Sequence, residues 1–225
     1  ARAPVAPGAV DAFTLKLPRA GTLMCDARLL GDGAARAASA LALVAGDDGL
    51  AADRDVAWLI EDWRLNSDGG AVAPGGGVES APALWTVNGG TSAEIALRPG
   101  ERLRLRFING SQRNAIVLKI ENTEVRVMAI DGAPAEPFVA RDGRLVLAPG
   151  TRIDTVIDAG ASESAAAILL GDGAAIHTLG RLTTAGEPLR AAPLPVPLAL
   201  SSDGLPEQLS LRDALRADLA LDRVK

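Results

Sequence analysis

Histidine, cysteine and tyrosine are almost missing from this chain of 225 residues: it carries one histidine, His177, one cysteine, Cys25, and no tyrosine. A lone cysteine cannot close an internal disulfide, so no disulfide framework organises the fold. A lone histidine leaves a Ser-His-Asp arrangement only His177 to build on. No Gly-X-Ser-X-Gly elbow accompanies it, which excludes that route to a hydrolase. No apolar run approaches the roughly 18 residues needed to cross a bilayer as a helix. A basic surplus is missing too, since 28 acidic residues outweigh 23 basic ones for a net charge of -5. The attraction that drives nucleic-acid binding is therefore absent, and no segment concentrates Lys or Arg. The chain opens on a strand-like pattern without a charged leader, which places any export signal upstream or already removed. Aromatics are few, and Trp58, Trp63 and Trp85 are expected to anchor a core or an interface.

What is present is alternation broken by turns. The length and an apolar content of 48% suffice for one large domain, or one domain plus part of another. In Arg102-Leu103-Arg104-Leu105-Arg106-Phe107 apolar residues alternate strictly with arginines, the period-2 mark of a strand buried on one face. Leu103, Leu105 and Phe107 form its inward face. Glu94-Ile95-Ala96-Leu97 alternates likewise and joins it through Arg98-Pro99-Gly100-Glu101, where proline presets the first turn position and glycine accepts the positive φ of the second. Arg144-Leu145-Val146-Leu147 and Arg152-Ile153-Asp154-Thr155-Val156-Ile157 repeat this unit around Ala148-Pro149-Gly150-Thr151. Residues Ile116 to Ile120 and Val125 to Ile130 add two strands, and turn signals roughly every ten residues favour a β-sandwich.

A third Pro-Gly unit, Val5-Ala6-Pro7-Gly8-Ala9-Val10, starts the chain, and Pro7 and Pro149 lie 142 positions apart. That separation suits tandem sandwich domains, with Leu41 to Val44 closing one and Val56 to Ile60 opening the next. The glycine-rich stretch from Asp68 to Gly77 reads as a surface loop with no phosphate-loop lysine. Pro193-Leu194-Pro195-Val196-Pro197 reads as an extended connector, and residues Ser210 to Arg216 as a brief helical turn.

Leu84-Trp85-Thr86-Val87-Asn88-Gly89, then Leu97 to Asn109, Ala129-Ile130-Asp131-Gly132 and Leu147 to Asp154 follow one another as in the middle cupredoxin domain of multicopper oxidases, the laccase-like family, which this chain resembles. The resemblance implies an all-β, cupredoxin-like Greek-key sandwich with a partial second sandwich at the N-terminus. It divides the chain into the end of a first cupredoxin-like domain (1–50), a middle domain (51–190) and a linker toward a third (191–225). In the family a Gly-Thr pair near the end of the first domain precedes a His-X-His pair that binds copper. Gly21 and Thr22 match here, but Asp26 and Arg28 occupy the two ligand positions. Arginine does not deprotonate to coordinate a metal, and aspartate replaces imidazole poorly around copper.

The expectation is thus no catalytic, cofactor-binding or metal-binding residue in this chain, and no copper, although the family uses it. His177 is read as a surface or hydrogen-bonded structural residue, and nothing partners it in sequence. Cys25 is read as a small buried residue. Arg102, Arg104 and Arg106 are read as a solvated strand face, or as ion pairs with Glu94, Glu101 and nearby aspartates. Trp63 is expected to plug a domain junction, and Asp131-Gly132 to make a tight turn. The resemblance implies a non-catalytic scaffold within a family that oxidises phenols, amines or metal ions while reducing O2. The alternative it leaves is a copper-free structural or interaction protein of the periplasm. Partners are the remaining domains of a parent chain or another copy of this chain, with no nucleic acid or membrane span, and the location is periplasmic or secreted. First-domain strands that cannot close a sandwich alone must be covered by the middle domain, the tail or another chain.

Overall fold

The computed structural model describes residues 5–14, 16–17, 20–26, 40–46, 49–72, 81–111, 114–197, 199–200 and 212. Two sheets built from the chain after residue 53 face each other. Their strands are β3 (Arg54–Leu65), β4 (Ala71–Val72), β5 (Leu84–Val87), β6 (Ala93–Leu97), β7 (Arg102–Asn109), β8 (Ile116–Ile120) and β9 (Arg126–Ile130). They continue with β10 (Ala133–Val139), β11 (Arg144–Leu147), β12 (Arg152–Asp158), β13 (Ser164–Gly171) and β14 (Ile176–Thr184). Ahead of them β1 (Gly21–Asp26) and β2 (Ala40–Ala45) pair antiparallel as a separate two-stranded sheet.

The seven-stranded sheet runs β10-β9-β12-β7-β3-β4 with β5 also on β3, and the five-stranded sheet runs β11-β8-β13-β14-β6. Successive strands β6 to β9 switch sheets, and β7 lies parallel to β3 as β6 does to β14. This is a Greek-key sandwich of the cupredoxin kind. The inward residues of β7, Leu103, Leu105 and Phe107, are fully buried, as the alternation requires. Phe107 meets Trp58 edge to face, with ring centroids 6.0 Å apart, at the centre of the core. Gly180 lets β14 close on β6, because a Cβ there would lie 2.1 Å from the Ala93 carbonyl oxygen and 2.8 Å from the Trp58 ring.

The Pro-Gly turns form as read. Glu101 N donates to Arg98 O and Thr151 N to Ala148 O, with Gly100 and Gly150 at φ of 74° and 82°. Ala9 N likewise donates to Ala6 O, yet Val10 to Thr14 form no strand and are exposed. Asp131 and Gly132 both take positive φ and close the β9–β10 hairpin. The glycine-rich loop begins with a turn in which the Asn66 side chain accepts from Gly70 N, and it delivers the short strand β4. Its residues 73–80 lie outside the described ones, as does the expected helical turn at 210–216 apart from Arg212.

Strands β1, β4, β5, β10, β13 and β14 were not anticipated. Pro134 and Pro137 mask β10, and its place at the sheet edge is where proline is tolerated. Three successive alanines blur the alternation of β13.

Candidate functional site

The outward residues of β7 are Arg102, Arg104 and Arg106, and the expectation of a solvated face is overturned: each is 3% exposed. The other part of that expectation, pairing with neighbouring aspartates, is what the structure contains. Asp154 and Asp158 project on the same face of β12, in register with Arg106 and Arg102, while Asp55 stands on β3 opposite Arg104. Arg106 forks onto Asp55 through Nε and Nη2, both at 2.6 Å, and its Nη1 donates to Asp154 Oδ2 at 2.9 Å. Arg104 Nη2 donates to the same Asp154 oxygen at 2.7 Å. Arg102 forks onto Asp158 at 2.6 and 2.7 Å. Glu101 turns instead to Arg54, 2.8 Å away.

Two segments cover this row. From β1, the buried Thr22 hydroxyl donates to Asp154 Oδ1 at 2.5 Å and accepts from Arg106 Nη1 at 2.8 Å. Met24 and Ala42 of the hairpin pack beside it on Ala57, Leu59 and Ile108. Gly21 and Gly132 permit the approach, since a Cβ on Gly132 would stand 3.0 Å from Thr22 O. The expected cover for these N-terminal strands is thus the outer face of the seven-stranded sheet. From the other side comes the chain after β14. Arg98 donates to the carbonyls of Glu187 and Pro188, Leu189 N to Pro99 O, and Arg190 to Gly100 O and Asp53. Arg102 Nη2 then donates to Pro195 O at 2.9 Å, and Leu200 is buried against Met128, Ala129 and Val156. The hydrogen bond from Arg190, opposed by partial burial and helped by the Arg102 N–H, holds the Asp53 carboxyl below its ordinary range.

His177 is not without a partner. It faces Asp172, five residues earlier across the β13–β14 hairpin, with Nε2 3.0 Å from Asp172 Oδ2. Asp172 Oδ1 accepts from Ala174 N and Ala175 N, and Oδ2 also from the Trp85 indole at 3.3 Å. Burial works against ionisation of Asp172, yet these donors outweigh it and hold the carboxyl at about 2, below the ordinary 3.8. An ionised carboxylate only accepts, so the proton sits on Nε2 of His177. Trp85 stacks obliquely on the imidazole, 6.2 Å between centroids.

Cys25 is exposed on β1, not buried, because its neighbours Met24 and Thr22 alternate onto the covered face. Asp26 ends β1 with its backbone opposite Ala40, and Arg28 lies outside the described residues. Trp63 stands half-buried on the hairpin side of β3, where its indole donates to Thr86 Oγ1 at 3.1 Å. Two clefts of about 370 and 500 Å³ open at the end of the sandwich around Asn122, Thr123 and Glu124, and neither is lined by histidine or cysteine. Among the described residues no three His, Cys, Asp or Glu side chains group so as to hold a metal ion. The donors present do not fit the family's copper, since the one imidazole and the one thiol stand on different sheets. Asp154 and Asp158 were expected only as unnamed nearby aspartates, and Thr22 and Asp172 were not foreseen as partners. The aspartates had a signal, two acids four residues apart, hence on one face of a strand, beside a strand with three arginines at period two.

The fold and its covered outer face define a cupredoxin-type sandwich domain. The multicopper oxidase family model matches residues 51–174, and the chain belongs to that family. It is 30% identical over 120 residues to Laccase-1 of Thanatephorus cucumeris, a match covering 48% of this chain and 20% of that protein. The Laccase-1 of Melanocarpus albomyces is 39% identical over 70 residues, 31% of this chain and 11% of that protein. The chain thus spans about a fifth or less of these curated relatives. Among solved structures, Lac15 from a marine microbial metagenome superimposes with a TM-score of 0.50 at 27% identity, covering 70% of this chain and 39% of that one.

Proposed function

We propose that this chain is a non-catalytic scaffold within a multicopper-oxidase-family protein and binds no copper itself. One observation carries the reading: His177 is the only histidine among 225 residues, and its Nε2 is committed to Asp172. Type 1 copper alone takes two imidazoles with its thiolate. Its partners are the remaining domains of a parent chain or another copy of the chain, in the periplasm or outside the cell. Oxidation of phenols, amines or metal ions with reduction of O2 then takes place on residues other than these. A copper-free structural or interaction protein of the periplasm is the second reading. It is favoured by Asp26 and Arg28, which replace both members of the expected ligand pair at once.

Copper titration of the purified chain, followed by metal analysis and visible spectroscopy, tests the proposal. The expected result is no stoichiometric copper, no thiolate-to-copper absorption and no oxidation of a phenolic substrate. One tightly held copper per chain overturns it. His-X-His motifs in the coding sequence flanking this chain would select an oxidase parent over the copper-free reading.

A further inference from the structure

We propose that the Arg102-Arg104-Arg106 row couples the chain segment entering the sandwich to the segment leaving it, so that loosening either one loosens the other. The inference stands whether or not the parent protein carries copper.

The row is a two-sided seal around buried charge. At its centre Asp154 is 1% exposed and takes three donors, from Thr22, Arg104 and Arg106. The carboxylates at its ends, Asp55 and Asp158, reach solvent, with side chains 42% and 51% exposed. Dryness at the centre is supplied by two covers remote in sequence. Thr22 and the β1–β2 hairpin close one side. On the other, Leu200 is buried in one cluster with Val156, Met128 and Ala129, and Val156 stands between Asp154 and Asp158 on the same face of β12, opposite Arg104, while Pro195 O accepts from Arg102.

Ion pairs are far stronger in a dry, low-dielectric site than in water. Lifting β1 removes a donor from Asp154 and an acceptor from Arg106 and admits water to the row. The pairs that hold Arg104 and Arg102 in place then weaken, and with them the surface on which Leu200 and Pro195 rest. Lifting the tail wets the same carboxylate from the other side. Thermodynamic reciprocity requires the two effects to be equal in free energy.

Both directions can be read in the full chain. In a Cys25→Ser, Leu200→Cys background, the labelling rate of the buried thiol reports release of the tail. Adding Thr22→Val, which deletes only the hydroxyl, is expected to raise that rate at least about fivefold, the low end of ordinary coupling. In the converse experiment, Leu200→Asp in the otherwise unaltered chain is expected to speed amide exchange of residues 21–26 by a similar factor while β7 amides stay protected. Should Thr22→Val unfold the sandwich as a whole, seen as lost β7 protection, the converse experiment alone decides. A thiol labelling rate unmoved by Thr22→Val in a folded chain, or β1 exchange unmoved by Leu200→Asp, overturns the proposal.

Discussion

Three donors converge on the buried carboxylate of Asp154, and that convergence makes it costly to replace. An ion pair buried this fully is weak evidence of net stabilisation, because taking the charges out of water costs about as much as their attraction returns. Removing one member is different, since the others stay buried and uncompensated. Asp154→Ala is expected to cost about 3–5 kcal/mol in denaturant unfolding. Asp158→Ala should cost far less, because that carboxylate is half exposed and water can replace it. The arginine alternation was legible in sequence. Its burial was not, because nothing local to residues 102–107 says what lies over them.

At the scale of elements, the hairpin from β13 to β14 shows how a short loop holds its own geometry. Asp172 caps the N–H groups of Ala174 and Ala175 and ties the loop to β14 through His177 and to β5 through Trp85. Its folded-state carboxyl titrates at about 2, against an ordinary 3.8, so the contribution is fully present above about pH 4. It is lost as pH falls from there through 2, since the unfolded chain then binds the proton first. Stability should decline across that window by about 1–2 kcal/mol from this group. Asp172→Asn should flatten the decline, measured as the pH dependence of the urea midpoint. An equally steep profile in the variant would contradict the assignment. Strands β6, β7, β8, β11 and β12 were legible because period-2 alternation and Pro-Gly turns are local signals. The pairing of His177 was not, although its partner is five residues away, because a loop brings the two together.

Across the whole molecule, protection from exchange should follow depth in the sandwich. Amides of β7, β8 and β12, which lie between neighbouring strands and beside the fully buried core, are expected to exchange slowest. Those of β1 and β2, a two-stranded sheet covered on one face, should exchange well ahead of them. Hydrogen exchange read by mass spectrometry checks the order, and equal protection in the hairpin and β7 would refute it. The sequence by itself determined the all-β sandwich, the turns that connect it and the near absence of imidazole, because alternation, proline, glycine and composition act within a few residues or need no structure at all. Only the tertiary structure decided that the arginine face is buried, that Thr22 and Pro195 meet its arginines, and that Cys25 points to solvent. Those outcomes depend on which segments, more than a hundred positions apart, come to rest on one face of one sheet.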